Sequence, residues 1–474
     1  MRGEVVSLED EHVAAVASAF VEITLGGGAG GDGRDHFEEL ITHGDHGVVE
    51  SESVDVRIVE PHAQAEHRAQ VINHGVTLAS HQADLAQTHH PPSMTELDRP
   101  AATYALGMSN PQPMIPEQIA NITTDWLNEA LGPNPRVGRI SSFTAERLGE
   151  GVGILGELAR LHLTYAPGES GPATMIAKCQ SPAPENRFLG EVMGFYLREI
   201  NFYKEVATSL NIRVPHPYYA DSGANGLPFI LLIEEIIGAR CPDQITGITV
   251  DETRRILDVV ATLHARFWDS PDLETMSWLP PMNNPLYKSG RDMAIARLPE
   301  FRSKFADRVS PAFMDVIERA CNEYPNLLDH LAALDHLTFT HTDCRAENYL
   351  FGGSAGADTV TMIDFQLSTR HMGPWDVANL VTGSLSPELR RTCEMDLLRS
   401  YYDKVVSLGV KNYSFERCYL DYKRSLLQLC TAQVITSDLQ GGNERGTLLL
   451  ENLHIRPVIA AEEHGVGELL DEFC

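Results

Sequence analysis

Apolar and polar positions along this chain change texture once, from strand-like text to long helical text, and a loop bracketed by two short apolar runs interrupts the helices. Residues 116–131 carry apolar side chains at helical spacing and stop at Gly132-Pro133, which predicts a leading helix. Strand patterns follow at 140–148, 154–165 and 173–179, and the apolar run 227–233 predicts a strand buried on both faces. Between the third and fourth strands, 188–210 reads as one helix. From 251 to 268 the pattern is helical again, with Ile256, Val259, Val260, Leu263, His264 and Phe267 on one face, Thr249 or Asp251 as cap, and Ser270-Pro271 as stop. A loop at 277–290 precedes helices at 291–309 and 311–334. The apolar runs 337–340 and 360–363 predict short strands. Helices are expected again from Gly373, then at 388–408, 414–439 and 448–470. Residues 113–237 therefore form a strand-rich lobe and 238–474 a helical one, an α+β arrangement.

The first 107 residues stand apart. Up to Leu106 there is no Lys, Cys or Trp, the only aromatics are Phe20, Phe37 and Tyr104, and ten of the chain's 19 His fall here without regular ligand spacing. The glycine run 26–33 is a flexible breaker. Two readings fit this segment: a disordered acidic extension, or a start codon placed too far upstream, with Met94 and Met108 as candidate starts. The acidic opening lacks the basic region of a signal peptide and no apolar run reaches membrane-spanning length, so a cytoplasmic protein is expected. Eight scattered cysteines without a C-x-x-C pair suit reduced thiols. A formal charge of -29 argues against nucleic acid or an anionic membrane as the main partner. Oligomeric state is not legible.

The chemistry sits between and after the two short strands. His341-Thr342-Asp343-Cys344-Arg345-Ala346-Glu347-Asn348 follows the first, and Ile363-Asp364-Phe365-Gln366 closes the second. Transfer of a γ-phosphoryl group needs a carboxylate to orient the attacking hydroxyl and accept its proton, plus oxygen ligands that hold magnesium against the phosphates. Asp343 suits the first role, Asn348 and Asp364 the second. Turn formation is the bland reading of an Asp and an Asn five apart. The flanking strands and the later Asp-Phe make phosphoryl transfer the better one.

Upstream residues complete that reading. Gly151, Gly153 and Gly156 spell G-x-G-x-x-G, but a strand follows where a dinucleotide fold needs a helix. A glycine-rich hairpin over ATP phosphates fits the text, with Gly151 and Gly153 as contacts. Lys178, the first lysine of the chain, ends a strand and can reach the α- and β-phosphates if a carboxylate on the next helix holds it. Glu199 is the favoured partner because Phe202, Tyr203 and Val206 flank it with apolar surface; Glu191 is the fallback. Residues 234–238 suit a hinge whose backbone, at Glu234 and Ile236, meets the adenine edge. Asp376 is placed to cap a helix or tie the catalytic loop.

From about Pro116 onward the chain resembles the aminoglycoside phosphotransferase and choline kinase superfamily, and within it the ecdysteroid kinase-like (CHK kinase-like) branch. The resemblance rests on 341–348, on Ile363-Asp364-Phe365-Gln366, on 373–380 and on Leu263-His264-Ala265-Arg266-Phe267-Trp268. It implies a bilobal protein-kinase-like fold with a small antiparallel-sheet N-lobe and a mostly helical C-lobe. It also implies ATP and magnesium as cofactors, and phosphorylation of a hydroxyl on a small molecule. Asp343 would be the base, Asn348 and Asp364 the magnesium ligands, and Lys178 with Glu199 the phosphate-positioning pair. Thr342 departs from the Gly usual at that position, and a small local adjustment is expected there.

Two other classes remain on this reading. A protein kinase shares the catalytic spacing, but no Asp-Phe-Gly and no Ala-Pro-Glu follow it. An inactive nucleotide-binding protein would ordinarily have lost one of the five polar positions present here. The acceptor is open between a lipid-like alcohol, an amino alcohol and an aminoglycoside, with Trp278 and Tyr287 as candidate pocket residues.

Overall fold

Period-two alternation builds the first layer. In the computed structural model, which describes residues 113–132, 134–148, 156–439 and 443–473, strands β1 (Ile140–Leu148), β2 (Gly156–Tyr165), β3 (Thr174–Gln180), β4 (Pro217–Ser222) and β5 (Phe229–Glu234) form one antiparallel sheet ordered β1-β2-β3-β5-β4. The 1–107 segment, Gly151 and Gly153 lie outside the described residues.

Both faces of this sheet are covered. Ile230 and Leu232 of β5, with Met175 and Ala177 of β3, pack under helix α1 (Thr124–Leu131), whose N-cap Thr123 accepts a hydrogen bond from the Trp126 N–H. Phe229 and Leu231 point the other way, into the large core shared with the helical lobe. Burying each such side chain contributes about 1.5–3 kcal/mol, and double coverage explains the unbroken apolar run of β5. The same alternation turns Lys178 away from α1.

The helix expected over 188–210 is broken in two. α2 (Pro184–Val192) stops before Gly194, whose φ of +70° is cheap only for glycine, and α3 (Phe195–Asn201) leads into a π-helical turn at Phe202–Val206. Beyond the two-residue strand β6 (Ala239–Arg240), α4 (Val250–Phe267) opens with a full capping box between Thr249 and Glu252. α5 (Gly290–Lys304) follows. The helix expected over 311–334 is also split, into α6 (Pro311–Asn322) and α7 (Tyr324–Ala332), with a proline in the first turn of α7.

Strands β7 (Leu337–Thr340), β8 (Tyr349–Gly352), β9 (Val360–Met362) and β10 (Thr369–Met372) pair antiparallel as β10-β7 and β6-β8-β9. Helices α8 (Pro374–Ser384), α9 (Pro387–Ser407), α10 (Phe415–Ile435) and α11 (Glu444–Glu463) complete the second layer. The result is an α+β bilobal fold, a small antiparallel sheet joined to a mostly helical lobe. Among the described residues no helix is long and apolar enough to cross a membrane.

Candidate active site

Asp343 and Asn348 lie on the loop between β7 and β8, and Asp364 follows β9. The Asn348 side-chain amide donates to the Asp343 carboxylate and to the Asp343 carbonyl, both at 2.8 Å. The Ile363 N–H donates to the Asn348 carbonyl at 3.0 Å, which sets Asp364 beside the loop. Asp364 itself takes φ +66° and accepts from the Lys178 ammonium at 3.2 Å. Lys178 reaches across from β3, and its closest carboxylate is Glu199 on α3, 2.7 Å away. Five sequence-selected positions thus fall into one chain of contacts once the backbone link is counted. Glu191, on α2, is not among them.

The electrostatics follow from burial and pairing. Burial works against the Lys178 charge, but Asp364 and Glu199 outweigh it and hold the ammonium above its ordinary pKa. Burial pushes Glu199 up, and Lys178 opposes that shift. For Asp343 burial again raises the pKa, yet Arg345, His341 and the Asn348 amide together leave the carboxyl below its usual value. Asp343 is consequently ionised at neutral pH.

Several positioning groups were not legible beforehand. Arg345 lies 3.3 Å from Asp343 and 2.6 Å from Glu347, although its place two residues after Asp343 was a usable signal. Gln366 accepts from Lys178 at 3.4 Å. Phe365 stacks on Phe202, with centroids 3.4 Å apart and planes at 11°, joining the Asp364 turn to the end of α3. Arg198, buried beside Glu199, donates to the Ser368 carbonyl just past the same turn.

The loop is held from below by α8. Asp376 is fully buried and accepts from the His341 N–H at 2.7 Å and the Thr342 N–H at 2.8 Å, and it also contacts His264 at 3.1 Å. Thr342 makes no adjustment away from the glycine-like conformation; it takes φ +70°. Cys344 is buried and shares a 2.8 Å hydrogen bond with the Tyr349 hydroxyl. At the hinge the Ile236 carbonyl accepts from the Ala239 N–H, and the Glu234 carboxylate pairs with Arg213 at 2.5 Å. Trp278 packs on Phe339 and donates to Glu205 at 2.7 Å.

No curated protein sequence matches the chain. Among solved structures it is similar to an ethanolamine kinase from Plasmodium vivax, at 12% identity over 69% of this chain and 85% of that one, with a TM-score of 0.42. It is also similar to a choline kinase from Cryptosporidium parvum, at 11% identity over 70% and 93%, with a TM-score of 0.43. A GDP complex of aminoglycoside 2'-phosphotransferase-IIIa gives 13% identity over 68% and 94%, with a TM-score of 0.39. At such identities and scores these structures lend no residue roles to this chain. Residues 177–426, just over half of the 474, match the family described as uncharacterized oxidoreductase dhs-27 (DUF1679), and the chain belongs to that family.

Proposed function

We propose that the protein is a cytoplasmic small-molecule kinase that transfers the γ-phosphoryl group of ATP to an acceptor hydroxyl, with residues 113–237 as N-lobe and 238–474 as C-lobe. The observation that carries this reading is the buried Lys178, 2.7 Å from Glu199 and 3.2 Å from Asp364, beside an Asn348 that donates to Asp343. Glu199 holds the ammonium where it can pair with the α- and β-phosphates. Asp343 orients the acceptor O–H. As the acceptor oxygen bonds to the γ-phosphorus, the bond from that phosphorus to the bridging β-oxygen breaks, ADP leaves, and the proton passes to Asp343 and then to solvent. A carboxylate held below its usual pKa is a weak base, which suits a late proton transfer in a loose transition state.

The side chains present fit magnesium. Both Asn348 hydrogen bonds use the amide nitrogen, which leaves its oxygen for a cation, and Asp364 supplies a carboxylate. Among the described residues no group of three or more His, Cys, Asp or Glu converges on a metal site. That agrees with an ion completed by phosphate and water. Magnesium, when bound, neutralises charge on the β- and γ-oxygens. The word oxidoreductase in the family's description finds no support in the topology, because all pairings between the named strands are antiparallel and a dinucleotide-binding fold is parallel.

The test is thermal unfolding of the full chain with ATP and magnesium, together with ADP release. Ligand at about a hundred times its Kd stabilises by about 2.7 kcal/mol. Asp364→Ala should lose the magnesium-dependent shift. Asp343→Asn should keep it and lose about 10²–10⁴ in turnover. A wild-type chain that Mg-ATP leaves unmoved would sink the reading, and turnover retained in Asp343→Asn would remove Asp343 from its role. Stabilisation without turnover on any acceptor would select the inactive nucleotide-binding alternative.

A further inference from the structure

A cavity of about 380 Å3 opens against the turn that follows Asp364. Leu189, Met193 and Phe195 enclose it from α2 and the start of α3, Met293 from α5, Ile435 from α10, and Leu367 from the turn that begins at Asp364. Several polar side chains in the lining are paired within the protein. Arg297 and Asp438 pair at 2.5 Å, and Arg297 also donates to the Ile435 carbonyl. The Ser289 hydroxyl donates to the Leu286 carbonyl at 2.7 Å and the Thr436 hydroxyl to the Ala432 carbonyl at 3.0 Å. The Arg198 guanidinium lies over the Tyr287 ring, 5.9 Å from its centroid.

Such a lining discriminates by what it withholds. An aminoglycoside, a choline-like cation or a sugar would exchange water for walls that are mostly hydrocarbon, and each unpaired polar group entering such a space is penalised. A hydrocarbon body loses nothing there. The volume lies at the small end of ligand pockets, which run from about 300 to 1,000 Å3. Leu367 stands three residues after Asp364, so a body in the cavity lies against the segment that carries the proposed magnesium ligand.

We infer that the acceptor is a neutral alcohol with a compact hydrocarbon body and a single reactive hydroxyl, the body seated in this cavity. The inference rests on the phosphoryl-transfer reading, since a cavity alone makes a binding site and not an acceptor site.

The experiment uses the full chain, with geraniol and 1-decanol as probes and choline and kanamycin as counter-probes. Thermal midpoints are followed by intrinsic tryptophan fluorescence, with and without Mg-ATP, and ADP release is followed in parallel. Both alcohols should raise the midpoint by about 2 °C or more at saturation, and the counter-probes should not. Ala432→Phe, which fills the cavity, should lose the alcohol shift and keep the Mg-ATP shift. Leu439→Ala, which enlarges the cavity, should weaken the shift if Ala432→Phe fails to fold. The alcohols should accelerate ADP release at least about tenfold, and Asp343→Asn should abolish that stimulation. Kanamycin or choline stabilising while the alcohols do nothing would overturn the inference, as would an alcohol shift that survives both cavity variants. Alcohol binding without faster ADP release would overturn the acceptor assignment. An alcohol shift in a chain that Mg-ATP leaves unmoved would instead remove the phosphoryl-transfer reading, so the two failures are distinguishable.

Discussion

Thr342 occupies a left-handed conformation at φ +70° that costs a β-branched residue about 1–2 kcal/mol. Its surroundings over-determine it. The N–H donates to Asp376, the carbonyl accepts from Trp375 at 3.2 Å and Asn379 at 2.9 Å, and the hydroxyl meets those of Thr340 and Thr369 at 3.1 and 2.8 Å. A local adjustment was expected because the sequence names the residue without the bonds that pin it. Thr342→Gly removes the strain and also the hydroxyl contacts, so stability should change by less than about 1 kcal/mol. Thr342→Ala keeps the strain and loses the contacts, and should cost about 1–2 kcal/mol. Urea denaturation compares them, and an alanine variant as stable as the glycine variant would contradict the account.

At the scale of elements, α8 matters more than its length suggests. Its first turn carries Asp376, and that one buried carboxylate ties α8 to the start of the catalytic loop and to His264 on α4. Asp376→Ala strands two backbone N–H groups and a ring nitrogen in the core, which should cost about 3–5 kcal/mol; Asp376→Asn, retaining one acceptor, should cost less. Denaturant midpoints decide, and an alanine variant within about 1 kcal/mol of wild type would mean that water replaces the carboxylate. The tying role was legible, since an Asp in the first helical turn after a catalytic segment has few other uses. The break between α2 and α3 was not. The helical period runs on through Gly194, and the rotation of α3 is set by Phe202 meeting Phe365 and by Arg198 reaching Ser368.

Across the whole molecule, two buried histidines weaken the protein on the acid side, and Glu199, raised as an acid by burial, opposes them over part of the same range. Burial lowers His371 to about 4 and His454 to about 4. A base whose folded pKa is depressed binds fewer protons folded than unfolded, so stability rises with pH between about 4 and 6.5. Each residue contributes a slope of about 1.4 kcal/mol per pH unit where the folded chain excludes the proton and the unfolded chain carries it. Asp343, depressed as an acid, adds loss only as pH falls through the ordinary carboxylate range. Thermal midpoints from pH 4.5 to 7 should climb, and His371→Gln with His454→Gln should flatten the climb. A curve that the pair of substitutions leaves unchanged would exclude the histidines.

Sequence alone determined the kinds of elements and the polar loop, because a period of two or 3.6 and the spacing from His341 to Asn348 depend on neighbours along the chain. It also narrowed the partners of Lys178 to two glutamates. Tertiary structure chose Glu199 and brought Asp364, 186 positions away, to the same ammonium. It decided the positive φ of Thr342, the pairing of Arg345 and the existence of the cavity. Those features arise where elements distant in sequence meet, and spacing along one segment carries no record of what another segment presents to it.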